Sequence, residues 1–198
     1  MNTIEIICSY YSNVGRETTY YEICSGKDFM DQEDYDPADF WYAGGGFSIT
    51  IDGYKTIFNS HNFYNMVKAT SFLLNSIYRI NGEQCDWFND SKNDAQISIG
   101  LGMNEQLTIR DNGLNEIALS YLSNDKAYER RRGDRFFENL IFDKKQWVEA
   151  VSIGLDEYFS VLKSIVDKNP NGQLNKTMHD YYNVWARVAG SSSSMGIE

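Results

Sequence analysis

In this 198-residue sequence, the side chains equipped for chemistry are two histidines, three cysteines, a glycine triplet and one run of carboxylates. A serine or cysteine nucleophile needs a general base that a third group holds in place. His61 stands at the start of an expected helix and His179 inside the last one, and neither lies in such an arrangement. Both are read as surface or capping residues. Cys8, Cys24 and Cys85 are odd in number and lack the Cys-x-x-Cys spacing of a zinc site, so they are expected to be reduced, buried, small hydrophobes. Gly44-Gly45-Gly46 precedes a strand pattern, whereas phosphate-binding loops follow a strand and open a helix, and no Lys-Ser/Thr pair comes after it. It is read as a flexible or tight-turn run.

The carboxylates are concentrated between Gly26 and Trp41, where Asp28, Asp31, Glu33, Asp34, Asp36 and Asp39 face a single Lys27. Calcium loops need glycine at position six and glutamate at position twelve; counted from Asp31 these are Asp36 and Tyr42, so the template fails. Glycoside hydrolysis needs two carboxyls at a fixed separation across a cleft, which a sequence cannot specify. Two readings remain: a solvated loop, or an interface in which interleaved aromatics anchor a basic partner and the charges steer it. On the second reading the partner-binding residues are Asp31, Glu33, Asp34, Tyr35, Asp36, Asp39 and Trp41, with Phe29 and Phe40 beside them. No catalytic, metal-binding or cofactor-binding residue is assigned.

Net charge supports the same direction. At −10, with a sequence pI near 4.7, the chain is poorly suited to phosphate backbones or anionic membranes, both of which recruit lysine and arginine. The expected partner is a basic protein rather than nucleic acid or membrane. The N-terminus has no basic and apolar leader pattern, and no window approaches 18 apolar residues, so a soluble cytoplasmic protein is expected. Arg130, Arg131, Arg132 and Arg135 form the one basic cluster, read as a solvated connection. Aromatic residues make up 15%, including fourteen tyrosines, enough for either a thick core or an adhesive surface.

The elements that must position these residues are clearer. Phe142 to Val166 is the strongest: Asp143 and Gln146 form a capping box, Phe142 can staple onto Trp147, and Trp147, Val151, Leu155, Tyr158, Leu162 and Ile165 recur on one helical face. A helix over 61–80, capped at Asn59-Ser60 and stopped by Asn81-Gly82, and another over 174–188 have similar stripes. Strand patterns span 3–11 and 18–24 around a Ser12–Gly15 turn, then 47–51 and 54–58 around Asp52-Gly53, a two-residue hairpin signature. Further strands are expected at 83–88, with Cys85 and Trp87 inward, at 97–103 and 106–110, at 117–121 after the Asn112-Gly113 turn, and at 136–142. Hairpin-linked strands are antiparallel. The fold expected is α+β: one largely meandering antiparallel sheet of about seven or eight strands, two long helices on one face, and a C-terminal helix. One domain over 1–189 with a flexible tail over 190–198 completes it.

In layout, residues 60–166 resemble the small acidic immunity proteins with which bacteria neutralise their own polymorphic or contact-dependent toxins. The likeness lies in a helix, a short segment with Cys85-Asp86-Trp87, a strand meander, and a strand entering a capped helix through Phe142-Asp143. The resemblance implies a cytoplasmic, non-enzymatic protein that blocks a toxin by binding it, and carries over no functional residue. The alternatives are a structural or adaptor subunit, and a small carboxylate-dependent hydrolase.

Overall fold

The computed structural model describes residues 3–14, 17–22, 37–58, 65–88, 96–101, 105–131, 136–168, 171 and 174–194. Strands β1 (Ile4–Val14) and β2 (Glu17–Glu22) open the chain, followed by a short helix α1 (Pro37–Trp41). Then come the hairpin β3 (Gly45–Ile51) and β4 (Tyr54–Phe58), and helix α2 (Met66–Ile80). A meander of β5 (Gln96–Leu101), β6 (Glu105–Asp111) and β7 (Glu116–Ser123) leads through α3 (Lys126–Arg131) to β8 (Phe137–Asp143). Two helices, α4 (Lys144–Lys168) and α5 (Asn175–Ser194), end the described chain.

The strands form two sheets rather than the single one expected. One runs β2-β1-β3-β4 and the other β5-β6-β7-β8, all neighbours antiparallel. Turn residues specify pairing inside each hairpin, but α2 leads the chain away after β4, and no local signal says whether the next strand rejoins the same sheet. Side chains join the two instead: Phe58 of β4 meets Tyr121 of β7 edge-on, ring centroids 5.0 Å apart.

Local chemistry explains most boundaries. Asp52 and Gly53 both have positive φ, 49° and 85°, as a type I′ turn requires. At the end of α2, Gly82 (φ 69°) donates to Arg79 O and Glu83 N donates to Tyr78 O, the paired bonds of a Schellman stop. Asp143 Oδ1 accepts from Lys145 N at 2.8 Å and Gln146 N at 3.3 Å, confirming it as the cap of α4.

Other boundaries move. The β1–β2 ladder continues through Ser12 and Asn13 to a Val14–Glu17 pair, past the turn expected at Ser12–Gly15. The cap of α2 is Asn65, whose Oδ1 accepts Lys68 N at 3.0 Å; the expected Asn59-Ser60 cap and residues 61–64 lie outside the described residues. Residues 83–85 are irregular and 86–88 form a turn and a bend rather than a strand, although Trp87 does pack inward. Gly45 and Gly46 pair with Tyr10 and Ser9 as buried strand residues rather than forming a turn, and Gly44 precedes the strand. Within 124–134 a helical turn forms because Asp125 Oδ1 accepts Ala127 N. Helix α5 continues through Gly190 to Ser194, into the segment read as a tail.

The core lies where α4 crosses β1 and meets α2 and α5. Gly154 makes the crossing close: a Cβ there would stand 2.6 Å from the carbonyl oxygen of Ile6. Ile6, Cys8, Phe47, Ile49 and Phe58 of the first sheet and Leu107, Ile117, Leu119 and Phe142 of the second are buried against the helices' apolar faces.

Candidate partner-binding surface

Interior polar groups in the helical layer tie the helices to one another. Tyr181 of α5 is fully buried, its hydroxyl 2.8 Å from Thr70 Oγ1 and accepting from Ser71 Oγ at 3.0 Å, and burial pushes its pKa well above the ordinary tyrosine value. Tyr78 of α2 donates to Val184 O at 2.7 Å; burial, with Cys85 adding to it, raises its pKa to about 12. Trp147 Nε1 donates to Ser76 Oγ at 2.9 Å, joining α4 to α2, and Asn175 Nδ2 donates to Val166 O, fastening the start of α5 to the end of α4. Rings fill the space between: Trp87 stacks on Tyr181 at 4.8 Å and Phe159 on Trp185 at 5.1 Å. Burial lifts the Cys8 thiol to about 12, so it is inert at neutral pH.

One carboxyl lies in the interior. Glu105, at the start of β6, is buried and accepts the Tyr121 hydroxyl at 2.5 Å, beneath the rings of Phe58 and Phe136 that also pack on Tyr121. A lone glutamate after Met103-Asn104 gives no sign of burial; the signal would have been its place across from Ser123 on a strand whose core positions are Leu107 and Ile109. Among the described residues, no group of three or more His, Cys, Asp and Glu side chains is gathered to hold a metal ion. His179 is exposed on α5, its Nδ1 3.1 Å from Asn183 Nδ2.

Of the residues expected to bind a partner, Asp31, Glu33, Asp34, Tyr35 and Asp36 lie outside the described residues. Asp39 belongs to α1, which ends at Trp41. Trp41 is only 8% exposed and meets Tyr181 edge-on at 5.8 Å, so it packs the core instead of anchoring a partner from the surface. Its neighbour Phe40 stacks on Tyr158 of α4 at 5.1 Å. The physical reason is that α1 docks its aromatic end on the helices; an indole gains more from burial there than at a wet loop.

Exposed apolar anchors occur elsewhere. Leu114, at the tip of the β6–β7 hairpin, is 97% exposed and has φ 47°, a left-handed conformation that leucine rarely adopts. The hairpin expected at Asn112-Gly113 is present, but its left-handed residues are Gly113 (φ 82°) and Leu114, which gives a longer tip. That tip is held firmly. Gly113 N donates to Asp111 Oδ1 at 2.8 Å, Lys144 Nζ donates to Asp111 Oδ2 at 2.8 Å, and Lys144 N donates to Asn115 O at 2.7 Å. The bond from Lys144 holds the Asp111 carboxyl below the usual carboxylate range. From Lys144, helix α4 continues with an outer face of Glu149, Ile153, Asp156 and Ser160, with Ile153 69% exposed. Partial burial, with Asp156 next to it, keeps the Glu157 carboxyl above the usual range.

Comparison with known proteins finds no matching family model, no matching curated protein and no matching solved structure. Among the described residues, no helix is long and apolar enough to cross a membrane.

Proposed function

We propose that this chain is a non-enzymatic, cytoplasmic partner-binding protein of the immunity type, which neutralises a basic toxin by direct contact. The observation that carries this reading is a division of labour among its polar groups. The hydroxyls of Thr70, Ser71, Tyr78 and Tyr181 and the indole N–H of Trp147 form bonds between helices, while the chain as a whole carries a net charge of −10. Such a surplus favours fast, salt-sensitive association with a cationic surface.

The test looks to the reading frame immediately upstream, which this reading requires to encode a large secreted protein with a basic C-terminal domain. That domain is expected to be toxic alone and harmless when this chain is co-expressed with it, and the purified pair should form a stable complex. Persistent toxicity with both proteins folded and abundant would refute the reading. Neutralising Asp31, Glu33, Asp34 and Asp36 together is expected to slow association and flatten its salt dependence while leaving the melting temperature nearly unchanged, as stopped-flow measurements over a salt series would show.

A further inference from the structure

We infer that the Asn112-Gly113 pair at the tip of the β6–β7 hairpin is a self-modification site. There Asn112 loses ammonia through a cyclic imide and becomes aspartate or isoaspartate, with Asp111 as the general base. The chain contains three Asn-Gly pairs, at 81–82, 112–113 and 171–172. A glycine after asparagine has no Cβ to obstruct ring closure and lets the backbone turn freely. Sequence therefore ranks the three pairs alike. Gly172 lies outside the described residues, and the other two pairs differ in what holds the glycine nitrogen.

Asn81 and Gly82 are exposed, but they form the stop of α2. Asn81 has ψ −3°, which aligns the Gly82 nitrogen with Asn81's own nitrogen rather than with its side chain, and Gly82 N donates to Arg79 O at 3.1 Å. A carbonyl oxygen accepts a hydrogen bond but does not take the proton away. At the hairpin tip the acceptor is a carboxylate: Gly113 N donates to Asp111 Oδ1 at 2.8 Å, the reach of a general base toward the proton it abstracts. Lys144 Nζ, 2.8 Å from Asp111 Oδ2, fixes the orientation of that carboxylate. The exposed Asn112 carboxamide has a contact of 3.5 Å from Nδ2 to Glu116 Oε2, long for a hydrogen bond, so it is loosely held and can turn toward Gly113 N.

In the first step Gly113 N bonds to Asn112 Cγ, its proton passes by way of Asp111 to the departing Nδ2, and the Cγ–Nδ2 bond breaks to release ammonia. Water then opens the imide at either carbonyl. The product carries an added negative charge beside Asp111 and Glu116. Its isoaspartate form also routes the main chain through an additional methylene, inside the turn closed by Asn112 N to Glu116 O and Glu116 N to Gly113 O. Both changes loosen the hairpin end that carries Leu114.

The experiment incubates the purified full chain at mildly alkaline pH and follows each Asn-Gly pair by peptide mapping in a mass spectrometer, with isoaspartyl methyltransferase labelling to count isoaspartate. In the folded chain Asn112 is expected to react at least about tenfold faster than Asn81, and in guanidinium that difference should disappear. Asp111→Asn keeps an oxygen for the Gly113 N–H but cannot take its proton, so it should slow the reaction at Asn112 about tenfold or more, with the melting temperature recording that the fold persists. If Asp111 only fastened the tip, the same substitution would loosen it and leave the rate unchanged or raised, which would overturn its assignment as the base. Equal rates at Asn81 and Asn112 in the folded chain, or a preference for Asn112 that survives denaturation, would overturn the site; this comparison uses the wild type alone.

Discussion

Among the described residues the two sheets have four strands each, in different surroundings. In the first, Gly45 to Ile49 of β3 are buried without interruption; in the second, β6 alternates, with Leu107 and Ile109 inward and Gln106 and Arg110 exposed. A strand buried on both faces cannot alternate, whereas an antiparallel sheet with one wet face must. The first sheet is also pressed by α4 at Gly154, so a methyl group there has no room. The second ends in a tip on which a leucine stands in solvent. Packing constraint is concentrated around β1 and the helices, and the outer end of the second sheet escapes it.

Substitutions test this contrast. The largest effect is expected at Gly154→Val, where overpacking against the Ile6 backbone should cost about 3 kcal/mol in chemical denaturation. Gly154→Ala is the more pointed version: helix propensity alone promises a gain of about 1 kcal/mol, and the contact with Ile6 O should reverse the sign. Next comes Tyr181→Phe, which leaves Ser71 Oγ without its described acceptor and should lower stability by about 1 to 3 kcal/mol in the same measurement. Leu114→Gly should act in the opposite direction, stabilising by up to about 1 kcal/mol, and a loss there would remove the contrast between the two sheets.

The smallest effect concerns pH. The folded Asp111 carboxyl is depressed by Lys144, so its contribution is fully present above the unfolded aspartate value of about 3.9 and is lost as pH falls through the lower folded value. The pair is partly exposed, so the change should stay below about 1 kcal/mol. Lys144→Met should remove that part of the acid-side slope in urea midpoints measured from pH 5 to 2.

How much of this could be read beforehand depends on the range of the interaction responsible. Asp52-Gly53, Asn81-Gly82 and Asp143 act on backbone groups within a few residues, and each behaves as its type dictates. The division into two sheets depends on where α2 leads the chain, and the burial of Trp41 depends on Tyr181, 140 positions away; neither leaves a local trace. Residues 83–88 show the same limit, because Trp87 faces inward as a strand residue would, yet it packs from an irregular segment on Tyr181. Leu114 was hidden for another reason: Asn112-Gly113 signals a hairpin, but the extra residue in the loop shifts the left-handed positions by one.

Strand β8 ends at Asp143 and α4 begins at Lys144, so no slack separates ribbon from rod. A pull on the sheet's margin therefore swings the rod directly, and because the rod bears on Ile6 through a bare glycine, the fulcrum of that lever lies in the other sheet.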